Sequence, residues 1–170
     1  SVDRQLRACL DAYSRRGLLD VQPCTVLASL IDRVHYHGQI IAINDCPYRL
    51  MYTAKYVFSQ DLDEFVVPTT ALNWTTMLEQ IHQSKPDLNA ESIASYSFRN
   101  RFFMLAAPNY EYDREDADGD FVKEYRFRTL LKTSAESRLY PWSERAKVMA
   151  RPERILMWHV HSIQDSSLVR

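Results

Sequence analysis

Residues 55–68 read KYVFSQDLDEFVVP, a run of strand-forming side chains that turns abruptly acidic and closes on a proline. Tyr56, Val57 and Phe58 favour extended backbone, and residues 55–60 have the length of a central strand. Asp61 and Asp63 therefore fall just past the carboxyl end of a strand, where open α/β sheets bind ligands.

Helical patterns flank this strand. Asp3 is a helix cap, and Leu6, Cys9, Leu10 and Tyr13 form an i, i+3, i+4, i+7 stripe that should stop at Gly17. Residues 39–52 predict a second helix with Ile40, Ile43, Leu50 and Met51 inward and a kink or restart at Pro47. Residues 72–84 predict a third, with Trp74, Met77, Leu78 and Ile81 in the core. Residues 93–99, 124–130, 147–151 and 158–163 read as extended, and residues 108–120 as an acidic surface loop. Alternating helices and strands predict an α/β fold.

Composition narrows the function. With 170 residues, 46% hydrophobic and 25% charged, the chain has a globular domain's length and make-up. A net charge of -1 gives no general attraction to nucleic acid or an anionic membrane. No apolar run is long enough to span a bilayer, and the opening SVDRQLRACL is no signal peptide. Only 3 glycines are present, and neither a GxGxxG nor a Walker A phosphate loop can be written. Cys9, Cys24 and Cys46 are too widely spaced for a zinc knuckle; one disulfide plus a free thiol and three reduced thiols both remain open. Asn73-Trp74-Thr75 is a glycosylation sequon, a signal that also arises by chance.

The chemistry rests on Asp61 and Asp63. On an extended chain, residues i and i+2 point the same way, and their repulsion is offset by a divalent, oxygen-preferring cation, Mg or Mn. Such an ion clamps a diphosphate and stabilises it as it leaves. The spacing alone is weak, since Asp116-Ala117-Asp118-Gly119-Asp120 repeats it. That second cluster is not a calcium loop: its glycine is misplaced and Phe127 stands at the twelfth position. Arg49 and Lys147 are candidates for the diphosphate charge, against a reading as solvated surface cations. Asn44 suits either a nucleotide hydrogen bond or a cap at the broken helix. Trp142 and Trp158 read as core aromatics before sugar-stacking platforms.

Three ordered motifs carry a resemblance. Asn44-Asp45-Cys46-Pro47-Tyr48-Arg49, then KYVFSQDLDEFVVP with the following LNWTTMLEQI, then residues 147–154 with His159 and His161, resemble glycosyltransferase family 92. The resemblance implies a GT-A-like (Rossmann-like) mixed sheet with flanking helices, a single partial catalytic domain over residues 1–165 with a tail at 166–170. It also implies that the nucleotide-binding strand of the family lies upstream of Ser1. The implied activity is an inverting, metal-dependent transfer of a sugar, galactose by expectation, from a UDP-sugar donor to a glycan acceptor. Relatives of this type are Golgi membrane proteins, their anchor lying outside a chain like this one.

The roles follow residue by residue. Asp63 is the first choice for metal contact, with Asp61 nearer the ribose or reaching the metal through water. His161 is the third ligand, as the resemblance implies, with His159 its competitor; imidazole suits Mn better than Mg. Asn44, Arg49, Asp61 and Lys147 would hold the nucleotide-sugar. Glu64 would orient the acceptor or support a ligand. Inversion needs a general base, and Glu111, Asp113, Glu115 and Asp116 are available with nothing to single one out. Two other classes stay in view: a non-catalytic glycan- or partner-binding module on the same fold, and a divalent-metal phosphoryl hydrolase.

Overall fold

A computed structural model describes residues 3–23, 30, 33–107, 131–142 and 144–165. The chain divides into two compact units, Ser1–Ala42 and Ile43–Arg170. In the first, helix α1 (Arg4–Arg15) starts at Asp3, whose side chain accepts the Leu6 N–H at 2.9 Å. It ends as the sequence predicts: Gly17 takes φ +67°, and the Leu18 N–H returns to the Tyr13 carbonyl at 3.1 Å. None of its residues is buried, so its apolar stripe faces outward within this unit.

The second unit is organised by β3 (Lys147–Ala150), buried at all four positions. It is the centre of a three-stranded sheet, with β1 (Val57–Ser59) on one side and β2 (Ser95–Phe98) on the other. Both neighbours pair antiparallel to it, so β1 and β2 run parallel to one another. Helix α3 (Trp74–Ser84) connects them, making a split β-α-β unit with β3 inserted. Asn73 caps α3 by accepting the Thr76 N–H at 2.9 Å.

Alternation along the strands sorts the core into two layers. Phe58, Met149 and Tyr96 are in register and pack, with Leu78, Met77 and Ile81 of α3, on one face. Val57, Val148 and Ala150 supply the other, against Ile155, Trp158 and Ile43 of α2 (Gln39–Leu50). Trp158 belongs to a hairpin, β4 (Met157–Trp158) with β5 (Ile163–Asp165). At 1% exposure it is the largest fully buried side chain among the described residues.

Several expectations change. The strand at residues 55–60 is shorter and lies at an edge, because β3 takes the centre. Helix α2 continues through Pro47, whose ring is buried. Residues 158–163 are a hairpin connection with its two strand ends, not one extended piece. Trp74 is half-exposed, its indole N–H donating to the Val66 carbonyl at 3.0 Å and its ring meeting Phe58 edge-on. Every strand pair among the described residues is antiparallel, so the architecture is mixed helix with small antiparallel sheets. Residues 108–120 and 124–130 lie outside the described residues.

Trp158→Ala removes the ring that fills the second layer. Urea unfolding should show a loss of about 3–5 kcal/mol, the usual range for emptying a buried aromatic site. Leu62→Ala, at a fully exposed turn position, should stay within about 0.5 kcal/mol of the parent.

Candidate functional site

The acids gather in the turn after β1. The Glu64 N–H donates to the Asp61 carbonyl at 3.1 Å, and the Asp61 N–H donates to Glu64 Oε2 at 3.1 Å. Residues 61–64 thus close on themselves. Asp61 and Asp63 are not neighbours on one side of an extended chain, because Glu64 binds both backbone groups of Asp61 and folds the segment into a turn.

Lys147 completes the cluster. Its Nζ donates to Asp61 Oδ2 at 2.8 Å and stands 2.7 Å from Glu64 Oε2. The ladder explains the meeting: Ser59 lies opposite Val148, so the preceding residue of β3 comes level with the chain leaving β1. The Lys147 side chain is 8% exposed and the Asp61 side chain 62%. A nearly dry ammonium therefore supports a carboxylate that faces water. Burial works against the charge on Lys147, but its bonds to Asp61 and Glu64 outweigh that and raise its pKa. The Lys147 bond holds Asp61 below the usual carboxylate range against a smaller opposing effect of burial, and His161 lies near enough to add to the lowering.

His161 sits in the β4–β5 connection, where the His159 N–H donates to the Ser162 carbonyl at 2.8 Å. Its Nδ1 is buried, with no hydrogen-bond partner among the described residues. His159 and His161 do not share a strand face, since the chain bends between Trp158 and Ile163. Asp63 is exposed and makes no hydrogen bond or ion pair among the described residues.

These donors fit a manganese ion in kind: carboxylate oxygens from Asp61 and Asp63, and an orphaned imidazole nitrogen from His161. They do not converge as they stand. Among the described residues no three His, Cys, Asp or Glu side chains form a group that holds a metal ion. The cation shared by the acids here is the Lys147 ammonium.

The remaining candidates go elsewhere. Asn44 brackets the backbone of Trp158, its Nδ2 donating to the carbonyl and its Oδ1 accepting the N–H, each at 2.8 Å. That ties α2 to the hairpin. Arg49 stands 3.7 Å from Asp45, one turn earlier in α2. Lys147 is buried and paired, not a solvated cation. Trp142 is exposed, contrary to its reading as core. Cys9 and Cys46 are exposed and outside any disulfide, and Cys24 lies outside the described residues. So do Glu111, Asp113, Glu115 and Asp116.

Sequence reasoning missed Arg151. Its buried guanidinium reaches Glu91 Oε2 and the Ala90 carbonyl, each at 3.1 Å, and the Tyr56 hydroxyl at 3.4 Å. Its backbone N–H donates to the Ala94 carbonyl, so it locks the far end of β3. An arginine directly before a proline at a strand end was the available signal. At the opposite end of β3, Arg145 holds φ +54°, with its guanidinium over the rings of Phe102 and Tyr140. A left-handed non-glycine residue two positions before Lys147 fixes how the chain enters the cluster.

The family model of glycosyltransferase family 92 matches residues 1–168. No curated protein and no solved structure matches the chain. No helix among the described residues is long and apolar enough to cross a membrane.

Asn44→Ala leaves both backbone groups of Trp158 without their partner. Urea unfolding should show a loss of about 1–3 kcal/mol, the cost of unsatisfied buried groups. Arg151→Lys should lose a similar amount, because an ammonium cannot reach Glu91, Ala90 and Tyr56 together from one plane.

Proposed function

The chain belongs to glycosyltransferase family 92 and is a glycosyltransferase by that membership, and on this premise we propose that it transfers a hexose, galactose in the first instance, from a UDP-sugar to a glycan acceptor with inversion. The observation that carries the reading is the cluster at the end of β1, where Asp61, Glu64 and Lys147 are in contact. Direct displacement at the anomeric carbon throws negative charge onto the departing diphosphate. A cation held by Asp61, Asp63 and His161, Mn2+ before Mg2+, supplies the neutralising charge when bound. Lys147 brings a fixed ammonium to the same place. It has three N–H donors, and the two carboxylates take two.

Glu64 is best described as the residue that shapes the turn, since it bonds both the Asp61 backbone and Lys147. The proposal extends to action in the Golgi lumen as part of a type II membrane protein, with anchorage by chain outside residues 1–170.

Calorimetry tests the reading directly. UDP should bind only when Mn2+ is present. Asp63→Ala should abolish that binding while leaving the unfolding curve in place, because exposed Asp63 makes no hydrogen bond or ion pair among the described residues. UDP affinity unchanged in Asp63→Ala would remove that residue from the site. Glycan binding without UDP or metal would favour a binding module, and phosphate release from a phosphomonoester would favour a hydrolase.

A further inference from the structure

We infer that Arg145, set over the rings of Phe102 and Tyr140, binds an acidic group, a carboxylate or a sulfate, on the acceptor glycan. The inference rests on the proposed transfer and gives its acceptor a chemical class and a place in the fold.

The arginine is held but not used up. Its guanidinium lies 5.3 Å from the centre of the Phe102 ring and 5.7 Å from that of Tyr140, and the two rings meet edge-on at 5.4 Å. Such contacts engage the charge without consuming its N–H donors. Those donors have no hydrogen-bond or ion-pair partner among the described residues. Arg138 makes the contrast: it lies 4.2 Å from the same Tyr140 ring, but Glu144 answers its charge at 3.1 Å. Segments 99–104 and 134–146 together carry four arginines against two glutamates, a local positive excess in a chain of net charge -1. Arg145 also keeps φ +54°, a left-handed conformation that costs a non-glycine residue free energy.

The chain places this arginine beside the cluster at the end of β1. Arg145 is two residues before Lys147, and two residues of chain span at most about 7 Å. Lys147 lies opposite Phe98 in the ladder. Beyond Phe98 the pairing continues: the Tyr140 N–H donates to the Asn100 carbonyl at 3.2 Å, and the Glu136 N–H to the Phe102 carbonyl at 3.0 Å. Phe102 and Tyr140 therefore stand just past the same end of the sheet at which the acids gather, and a glycan reaching the cluster comes within reach of Arg145.

The surroundings fit a sugar that carries a negative charge. Phe102 is 41% exposed, and Trp142 is 71% exposed in a turn closed by the Glu144 N–H on the Pro141 carbonyl at 2.9 Å. Exposed rings suit the C–H face of a sugar. An arginine fork whose donors are unclaimed suits a carboxylate or sulfate, which it meets with two parallel hydrogen bonds. A neutral sugar would use the rings and leave the charge unanswered.

Calorimetric titration of the chain tests this with three probes of equal length: a galacturonic acid trisaccharide, a sulfated galactose trisaccharide and the neutral galactose trisaccharide. At least one acidic probe should bind roughly tenfold tighter than the neutral one, the scale of a hydrogen bond to a charged group. The tighter of the two acidic probes identifies the group. Arg145→Asn substitutes a residue that tolerates left-handed backbone. It should abolish the difference between acidic and neutral probes and leave the neutral affinity in place. Arg145→Lys keeps the charge but lacks the fork, so it should recover only part of the preference.

Equal affinity of the parent for all three probes overturns the inference, and so does an acidic preference that survives in Arg145→Asn. Should Arg145→Asn fail to fold, Arg145→Lys decides, and an undiminished preference there is equally fatal. A concentration-dependent dimer that Arg145→Asn dissolves, in a parent without acidic preference, assigns the surface to a second copy and overturns the inference. Mn2+-dependent UDP binding is measured on the same samples. Its absence beside an acidic preference sinks the transferase reading and leaves Arg145 as an anion-binding residue, whereas UDP binding without the preference does the reverse.

Discussion

The antiparallel pairing of β3 with both of its neighbours is the interaction on which the second unit depends. Among the described residues β1 and β2 are each hydrogen-bonded to it and not to one another. Its four residues are all buried, and alternate ones face two different apolar layers. Met149 joins the sheet to α3, while Val148 and Ala150 join it to Trp158 and α2. A strand pulling on both layers must be anchored at both ends. Arg151 does this at one end through Glu91, Ala90 and Tyr56. Lys147 does it at the other through Asp61 and Glu64.

The proposed site and the core therefore share one strand. The ladder that packs the core also sets the height at which Lys147 meets the turn after β1. An ammonium on a central strand has little freedom, so the acids come to it: Glu64 folds the chain back, and Asp61 rests its Oδ2 on the lysine while the rest of the carboxylate faces water. Its burial makes Lys147 costly to strip of those partners. A surface lysine at the same distance would be screened by solvent and would contribute little.

Much of the local structure was legible without coordinates. Asp3 capping α1, Gly17 ending it and the apolar spacing of Met77, Leu78 and Ile81 are decided within a turn or two of helix. Such features depend on hydrogen bonds and periodicity that neighbours in sequence supply. The acidic run beside a strand was equally visible, and it does mark the charged cluster. The side-by-side presentation of Asp61 and Asp63 was not recoverable, because an i, i+2 argument assumes extended backbone. Glu64 removes that assumption with bonds to Asp61. Likewise His159 and His161 read as one strand face until the chain is seen to bend between them.

The amino-acid order by itself determined where helices begin and stop, which positions are apolar, and membership in glycosyltransferase family 92 through residues 1–168. Only the tertiary structure decided which strand is central, that Asn44 serves the backbone of Trp158, and that Lys147 comes to rest against Asp61. The reason is distance along the chain. Asn44 and Trp158 are separated by 114 positions, and Lys147 and Asp61 by 86. No local pattern encodes pairings at that range; they arise when burying two apolar faces of one short sheet forces its register.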